Sequence, residues 1–453
     1  MNILLKNKLF QIISNTFKHI RIFTIFFLLT NCSLLIKLDK QHIDYSVIHS
    51  SKNIPKICND KKNQNTQIVG DGKLIAKTFL KFTNQLEKKI ILKPIEKFAL
   101  FTLLQMLLRP DQSSPFARFQ VLIGNKNKFK YWDVSSNTNK DWSSPIFRGI
   151  ELLLNHYNSK YSLIKLASII DLEFKPLIKV TPLLSQFLST NQNIIKKSSF
   201  QKKYYFKSDQ IIHEGESLKN ISLRKIVKLY LLNKNKHSKH YTLSNHLFSF
   251  KSTDFSSHQK NYIGKVQCNY DLFLYKKSIY PIGKHILKNN LFGIKIKNLF
   301  FLASSGQNLD TPIPVKGTPF FKSKTPSRPI PFCYYKNSFL NFNLLLVSAK
   351  GRDPGQYLYN IFNLDLSKLD DLKDLESLLN FPRYLILLNP PRILFESGKS
   401  DQFQLDEFLK LNFNIYNKNT LGNIWAYASF NQSKTLRKGF VTDARQHASI
   451  ACQ

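Results

Sequence analysis

The sequence predicts an α+β protein of mixed helices and mostly antiparallel strands, in two domains joined by basic and Pro-rich segments. Three observations predict it. First, 43% of the 453 residues are hydrophobic, including 37 Phe and 19 Tyr. Such a chain buries enough apolar area to offset its conformational entropy, which excludes a disordered protein. Second, the apolar period alternates between helical three- and four-residue spacing and short runs of aromatic and branched residues. Third, the polar stretch 191–260 and the prolines at 310–331 interrupt that pattern. We find no repeat of 20–50 residues.

Taken in order, residues 1–31 read as a signal segment and 32–72 as an anchor and tether. Asn59 to Asn65 lacks an apolar side chain, as a flexible linker would. Gly70-Asp71-Gly72 reads as a turn rather than a phosphate loop, lacking a third glycine and a Lys-Ser/Thr pair. A mixed domain spans 73–190. Leu74, Ile75, Phe79, Phe82 and Leu86 predict one helix; Ile95 to Leu107 predict a second that stops before Pro110. Residues 116–123 and 128–134 flank Gly124-Asn125 and predict a β-hairpin. Helical spacing returns over 146–190, broken at Pro176 and Pro182.

A basic middle region, 191–309, carries an amphipathic helix over 218–232 and strand-like runs at 262–275 and 297–303. Six prolines make 310–331 an extended connector, neither helix nor central strand. A C-terminal α+β domain, 332–453, opens with a buried strand over 340–347. Leucines at 366, 369, 372, 375 and 378 predict a helix over 365–379, with Asp370 and Asp371 at its positive end. Residues 384–388 and 424–430 complete it as strands.

The formal net charge is +38, and only 11 of the 67 cationic side chains are Arg. A polyanion partner and an AT-rich coding bias toward Lys, Asn, Ile and Phe both account for this. A nucleic-acid reader spends Arg on bidentate contacts, so nucleic acid ranks behind an anionic envelope polymer or lipid. The candidate polyanion surface is the band 196–239: Lys196, Lys197, Lys202, Lys203, Lys207, Arg224, Lys225 and Lys228. Tyr204, Tyr205 and Phe206 are interleaved with it, as stacking sites would require. A solvated face in a Lys-rich protein is the plainer reading.

Residues 1–31 contain no acid and carry Lys6, Lys8, Lys18 and Arg21. The apolar run from Ile22 to Thr30 follows, and then Asn31-Cys32-Ser33. Cations hold back on the cytoplasmic side while the short run inserts, and nine residues are too few to span a bilayer. Leu29-Thr30-Asn31-Cys32 resembles the lipobox of bacterial lipoproteins, with Asn31 where that family carries a smaller residue. The resemblance implies acylation of Cys32, cleavage before it, and a membrane partner through the lipid anchor. The expected location is the periplasmic or surface side of the bacterial envelope. The resemblance covers about 33 residues and implies nothing for the mature domain.

Cys58, Cys268, Cys333 and Cys452 remain, an even number compatible with two disulfides. Cys268–Cys333 and Cys58–Cys452 are candidate pairs. His213, His237, His240, His246 and His258 lack the tight spacing of a metal-binding helix and sit among lysines. We expect no metal site and no cofactor there. Arg109-Pro110-Asp111 and Lys350-Gly351-Arg352-Asp353-Pro354 each follow an apolar run. Each reads as a capped turn with a local ion pair, or as the wall of a site. No nucleophile motif selects a catalytic residue. The expectation is an exported, lipid-anchored envelope protein with a binding or structural role. A hydrolase with an unidentified site and a polyanion binder using 196–239 are the alternatives.

Overall fold

The computed structural model describes residues 57–58, 65–72, 75–125, 128–136, 144–174, 179–218, 221–237, 241–247, 265–269, 272–275, 278–281, 286–307, 312–323, 327–337, 342–362, 364, 366, 369–388, 390–396, 410, 413–418, 421–430, 438–443, 445 and 448–453. The chain divides into Met1–His49 and Ser50–Gln453, and all described residues belong to the second unit. The signal segment, Cys32 and the polar tether 59–64 lie outside them.

The elements run β1 (Thr66–Asp71), α1 (Ile75–Glu87), α2 (Pro94–Leu108), β2 (Arg118–Asn125), β3 (Lys128–Ser136), α3 (Pro145–His156) and α4 (Leu163–Ile169). A π turn, Ile170–Phe174, extends α4. Then come α5 (Pro182–Thr190), α6 (Gln192–Lys197), α7 (Ser199–Tyr205), α8 (Leu223–His237), β4 (Tyr241–Leu247) and β5 (Lys265–Cys268). The chain continues through β6 (Asn290–Ile296), β7 (Leu299–Gly306), β8 (Phe332–Asn337), β9 (Phe342–Val347), α9 (Pro354–Phe362) and α10 (Leu372–Leu379). It ends with β10 (Trp425–Phe430), β11 (Lys438–Thr442) and β12 (Ala448–Cys452). The protein is α+β, as the sequence predicts.

Two antiparallel sheets organise these elements. One has strand order β12-β1-β6-β7-β2-β3-β4 and the other β11-β10-β9-β8-β5. Neighbouring residues of one strand point to opposite faces, and here both faces are buried. Ile68, Val121, Phe292 and Phe301 pack under α1, α2 and α3. Val69, Leu122, Leu291, Phe300 and Leu302 face the second sheet, where Phe332, Tyr334, Leu345, Trp425 and Tyr427 meet them. The outer face of that sheet, with Leu344, Leu346, Ala426 and Ala428, packs on α9 and α10. The layers are therefore helix, sheet, sheet, helix. Double burial explains why β7 and β9 read as continuous apolar runs rather than alternating ones.

Aromatic rings form the seam between the sheets. Phe300 stacks on Tyr427 with ring centres 4.0 Å apart, and Phe129 meets Tyr334 at 4.3 Å. Disulfides tie both edges. Cys268 and Cys333 are register partners of β5 and β8, Cα atoms 4.1 Å apart. Cys58 joins Cys452 on β12 across 6.0 Å. These are the two pairs the cysteine positions suggest. A three-stranded sheet (Tyr384–Leu388, Pro391–Glu396, Asn414–Lys418) is held by two ion pairs. The fully buried Arg383 donates to Asp443 at 2.7 Å, and Arg445 Nε donates to Glu396 at 2.7 Å.

Four readings need amendment. Residues 66–71, placed in the tether, form β1, which hydrogen-bonds to strands on both sides. The segments 73–190, 191–309 and 332–453 each give strands to the larger sheet, so the boundaries near 190 and 310–331 do not separate its strands. The Pro-rich segment is extended, yet Val315, Phe320 and Phe321 are buried. The Gln201 amide donates to the Val315 and Thr318 carbonyls, which fixes the loop on α7. Finally, the helix expected over 365–379 begins only at Leu372. Asp371 caps it, accepting from the Lys373 and Asp374 amides at 2.7 and 3.1 Å. An Asx cap ends the preceding backbone's helical conformation, while Leu366 and Leu369 still reach the core from outside the helix.

The seam generates a first prediction. Phe300 is 1% exposed and touches Phe129, Tyr427 and Phe440. Phe300→Ala should cost roughly 3–5 kcal/mol through lost transfer energy and an unfilled cavity. Urea unfolding of the purified protein measures it; a loss typical of a surface substitution would contradict the sandwiched position.

Candidate functional site: a buried ion cluster between the two sheets

β1 belongs to the larger sheet and ends at Asp71. β9 belongs to the smaller one, and Lys350 follows it by three residues. Between them lies Arg109, the residue at which α2 stops. Arg109 donates from NH1 to Asp71 at 2.9 Å. It donates from Nε and NH2 to the two oxygens of Asp111 at 3.0 and 2.8 Å, a bidentate pair. Lys350 Nζ donates to the same Asp71 oxygen. The Asp71 and Arg109 side chains are each 3% exposed, and Lys350 keeps 26%. Two cations and two anions thus neutralise one another in a place where an unpaired charge would be costly.

The electrostatics follow from that geometry. Burial pushes the Asp71 carboxyl upward, but Lys350 and Arg109 outweigh it and hold the group below the usual carboxylate value. Burial drags Lys350 down, Asp71 opposes this, and neighbouring Arg109 adds to it; the net shift is downward. For Arg109 burial also acts downward, yet Asp111 and Asp71 prevail and raise it.

Polar side chains continue from this cluster. The Ser113 amide donates to the Arg109 carbonyl at 2.7 Å. The Ser113 hydroxyl lies 2.5 Å from that of Ser305 on β7 and accepts from Asn290 Nδ2 at 2.8 Å. Asn290 also donates to Gln105 Oε1 at 3.0 Å. Ser114 donates to Gln307 Oε1 at 3.1 Å, and Gln307 returns hydrogen bonds to the Pro110 and Asp111 carbonyls. Asn289 donates to Ser304 and accepts from Ser327. It sits so close to Gly306 that a Cβ there would lie 1.9 Å from its Oδ1. On the lysine side, Gly351 takes φ +107° and Asp353 φ 48°. That chain reversal brings Gly351 against Gly422, where an added Cβ would be 2.9 Å from the Gly422 Cα.

The two polar loops singled out in the sequence both contribute here, the first through Arg109 and Asp111 and the second through Lys350. The local Arg109–Asp111 pair is present as expected. What the sequence hid is that Asp71, read as part of a turn, joins Arg109 to Lys350 across 38 and 279 positions. No local signal links residues so distant; only the pairing of β1 inside the sheet brings them together.

The polyanion band is divided among several elements. Lys196 and Lys197 end α6, Lys202 and Lys203 lie on α7, and Lys207 sits in a two-residue strand; Arg224, Lys225 and Lys228 lie on α8. Lys202 pairs with Asp209 at 2.5 Å; the other seven are exposed. The aromatic residues do not present stacking faces as expected. Tyr205 is fully buried beside Phe321, and Tyr204 and Phe206 are partly buried against the helical core. Of the histidine group, His213 is exposed, and the side chains of the other four lie outside the described residues. Among the described residues, no three His, Cys, Asp or Glu side chains form a metal-sized group. Cys32 also lies outside the described residues.

No protein-family model and no curated protein matches the chain. Solved structures do. The structure titled LmbA2991T421A superposes with a TM-score of 0.54 at 7% identity, covering 88% of this chain and 100% of that one. A second form, LmbA2991HD, gives 0.54 at 8% identity with the same coverage. A cephalosporin acylase from Bacillus halodurans gives 0.54 at 10% identity, covering 90% of this chain and 99% of the other. At these identities the likeness establishes a shared fold.

Removing one partner of a buried cluster exposes the remaining charges to an apolar surrounding. Arg109→Met should therefore cost roughly 3–5 kcal/mol. The acid limb carries a second signature. Because the folded Asp71 value is depressed, its contribution is intact above the unfolded value of 3.8 and is lost as pH falls through the lower folded one. Asp71→Asn should lower stability at neutral pH and flatten the fall below pH 3.8. Thermal unfolding across an acid pH series reads both effects; parallel wild-type and variant curves would contradict the pairing.

Proposed function

We propose that this chain is an exported bacterial envelope protein, acylated at Cys32, that uses an acylase-type fold for a binding or structural role. One observation carries the non-catalytic reading. Most of the polar groups where the sheets meet are committed to one another; Gln105 Nε2 and Asn290 Oδ1 are the buried atoms of this network left without a partner. The Ser113 hydroxyl is engaged by a second hydroxyl and a carboxamide, neither of which accepts a proton at neutral pH as a general base must. Arg109 turns its guanidinium N–H groups onto Asp71 and Asp111 rather than onto open space. The N-terminal pattern supports the address, and the disulfides Cys58–Cys452 and Cys268–Cys333 suit an oxidising compartment.

A second reading, an exported hydrolase, is favoured by the fold itself. It is shared over nearly the whole length of a cephalosporin acylase. In that reading Ser113 is the candidate nucleophile, and Lys350, paired with Asp71, is a charged group of the adjoining cluster.

Two measurements separate these readings. Cells fed labelled palmitate should incorporate label into the wild type and not into Cys32→Ala, and the wild type alone should remain with the membranes. Soluble, unlabelled protein in both cases would reject the anchor. Purified protein offered acyl p-nitroanilides should release nitroaniline no faster than Ser113→Ala or Lys350→Met. Turnover lost in either variant would replace the binding role with hydrolysis.

A further inference from the structure

The loop between α1 and α2 reads Lys88-Lys89-Ile90-Ile91-Leu92-Lys93. Its neighbours Leu86 and Leu92 are buried, but Ile91 stands 87% exposed. Leu172, in the π turn after α4, is 77% exposed. The two segments that carry these side chains are joined to each other. Lys89 Nζ meets Glu173 at 3.1 Å, which ties the loop to the residue after Leu172. Beneath them Phe82 packs edge-on against Phe174 at 4.8 Å.

Cations surround the pair. Lys88, Lys89 and Lys93 are exposed on the loop itself. Lys93 donates to the Asn158 carbonyl, and the Lys160 amide donates to Glu96 of α2 at 2.7 Å, so exposed Lys160 borders the same loop. On the other side Asp171 accepts from the Leu223 and Arg224 amides at 2.9 and 3.0 Å. That bond seats the start of α8 beside Leu172 and adds exposed Arg224 and Lys225. Glu173 offsets Lys89, and Glu87 is engaged by Lys97 at 2.6 Å.

Exposed aliphatic tips encircled by cations match the layered chemistry of an anionic bilayer, in which phosphates lie above hydrocarbon. A soluble anionic polymer would meet the charges but would give Ile91 and Leu172 nothing to enter. We propose that the α1–α2 loop and the π turn form a docking surface for an anionic phospholipid bilayer, with Ile91 and Leu172 inserting and the surrounding cations contacting phosphate. The surface assigns a role to Arg224 and Lys225 from the basic band and none to its α6–α7 lysines. It is independent of acylation at Cys32.

The test uses the full chain carrying Cys32→Ala, so that no acyl group contributes. Ile91→Trp is added, and the protein is mixed with vesicles of phosphatidylcholine with or without phosphatidylglycerol, their acyl chains brominated. Fluorescence of the indole introduced at position 91 should be quenched beyond the parent's signal with phosphatidylglycerol present, and not without it. Lys88→Gln/Lys93→Gln should weaken vesicle binding about thirtyfold, taking roughly 1 kcal/mol per cation and 1.4 kcal/mol per tenfold. Leu172→Asp should abolish the added quenching. All these side chains are exposed, so circular dichroism should be unchanged. Absence of extra quenching at position 91 overturns the proposal. So does salt-sensitive binding to soluble polyphosphate with no quenching, which would identify a polymer site instead. Because the acyl group is absent throughout, failure here leaves the Cys32 reading untouched, and the palmitate result has no bearing on this surface.

Discussion

Two antiparallel sheets lie face to face with helices on their outer sides, and from this double burial the rest of the structure follows. A sheet with both faces covered must be apolar on both, so its strands lose the alternation that marks a half-solvated sheet. Buried polar residues pair with one another, both within strands, as Ser305 and Asn290 do with Ser113, and beyond their ends. The Asp71–Arg109–Asp111–Lys350 cluster is one such place. It is also where the sheets are joined by charge as well as by the aromatic seam, because Asp71 ends a strand of one and Lys350 follows a strand of the other.

The same constraint explains what the sequence made legible. Elements specified by near neighbours were readable: the α2 stop before Pro110, the β2–β3 hairpin around Gly124-Asn125, and the strand at Tyr384–Leu388. Elements specified by partners far along the chain were not. β1 is six residues long and follows a polar run, and what makes it a strand is pairing with β6 and β12, more than two hundred positions away. The domain boundaries failed to mark the sheets for a related reason. Polarity and proline mark where a chain leaves a regular element, not where a folded body ends, and Val315 to Phe321 return to the core directly. The site was half visible. Arg109, Asp111 and Lys350 stood out as polar residues after apolar runs, but their convergence depends on Asp71, whose flanking glycines suggested only a turn.

The division of labour between arginine and lysine resolves the charge that dominates the composition. Arg109, Arg118, Arg383 and Arg445 each pair with carboxylates in buried or largely buried positions. The planar, delocalised guanidinium suits that task, since it meets both oxygens of a carboxylate and is less strongly hydrated than an ammonium. Among the described residues most lysines instead occupy the surface, as on α6, α7 and the α1–α2 loop, while Lys295 on β6 is 1% exposed. The buried arginines are therefore neutralised by pairing, and the exposed lysines of the described residues contribute to the net charge of +38. A coding bias toward Lys and an anionic partner are then compatible. Bias supplies many surface cations without a pattern, whereas a partner requires some of them beside features that bias does not produce. Lys350 is likewise carried inward, paired with Asp71, and burial lowers the proton affinity of its amine while Asp71 opposes that shift.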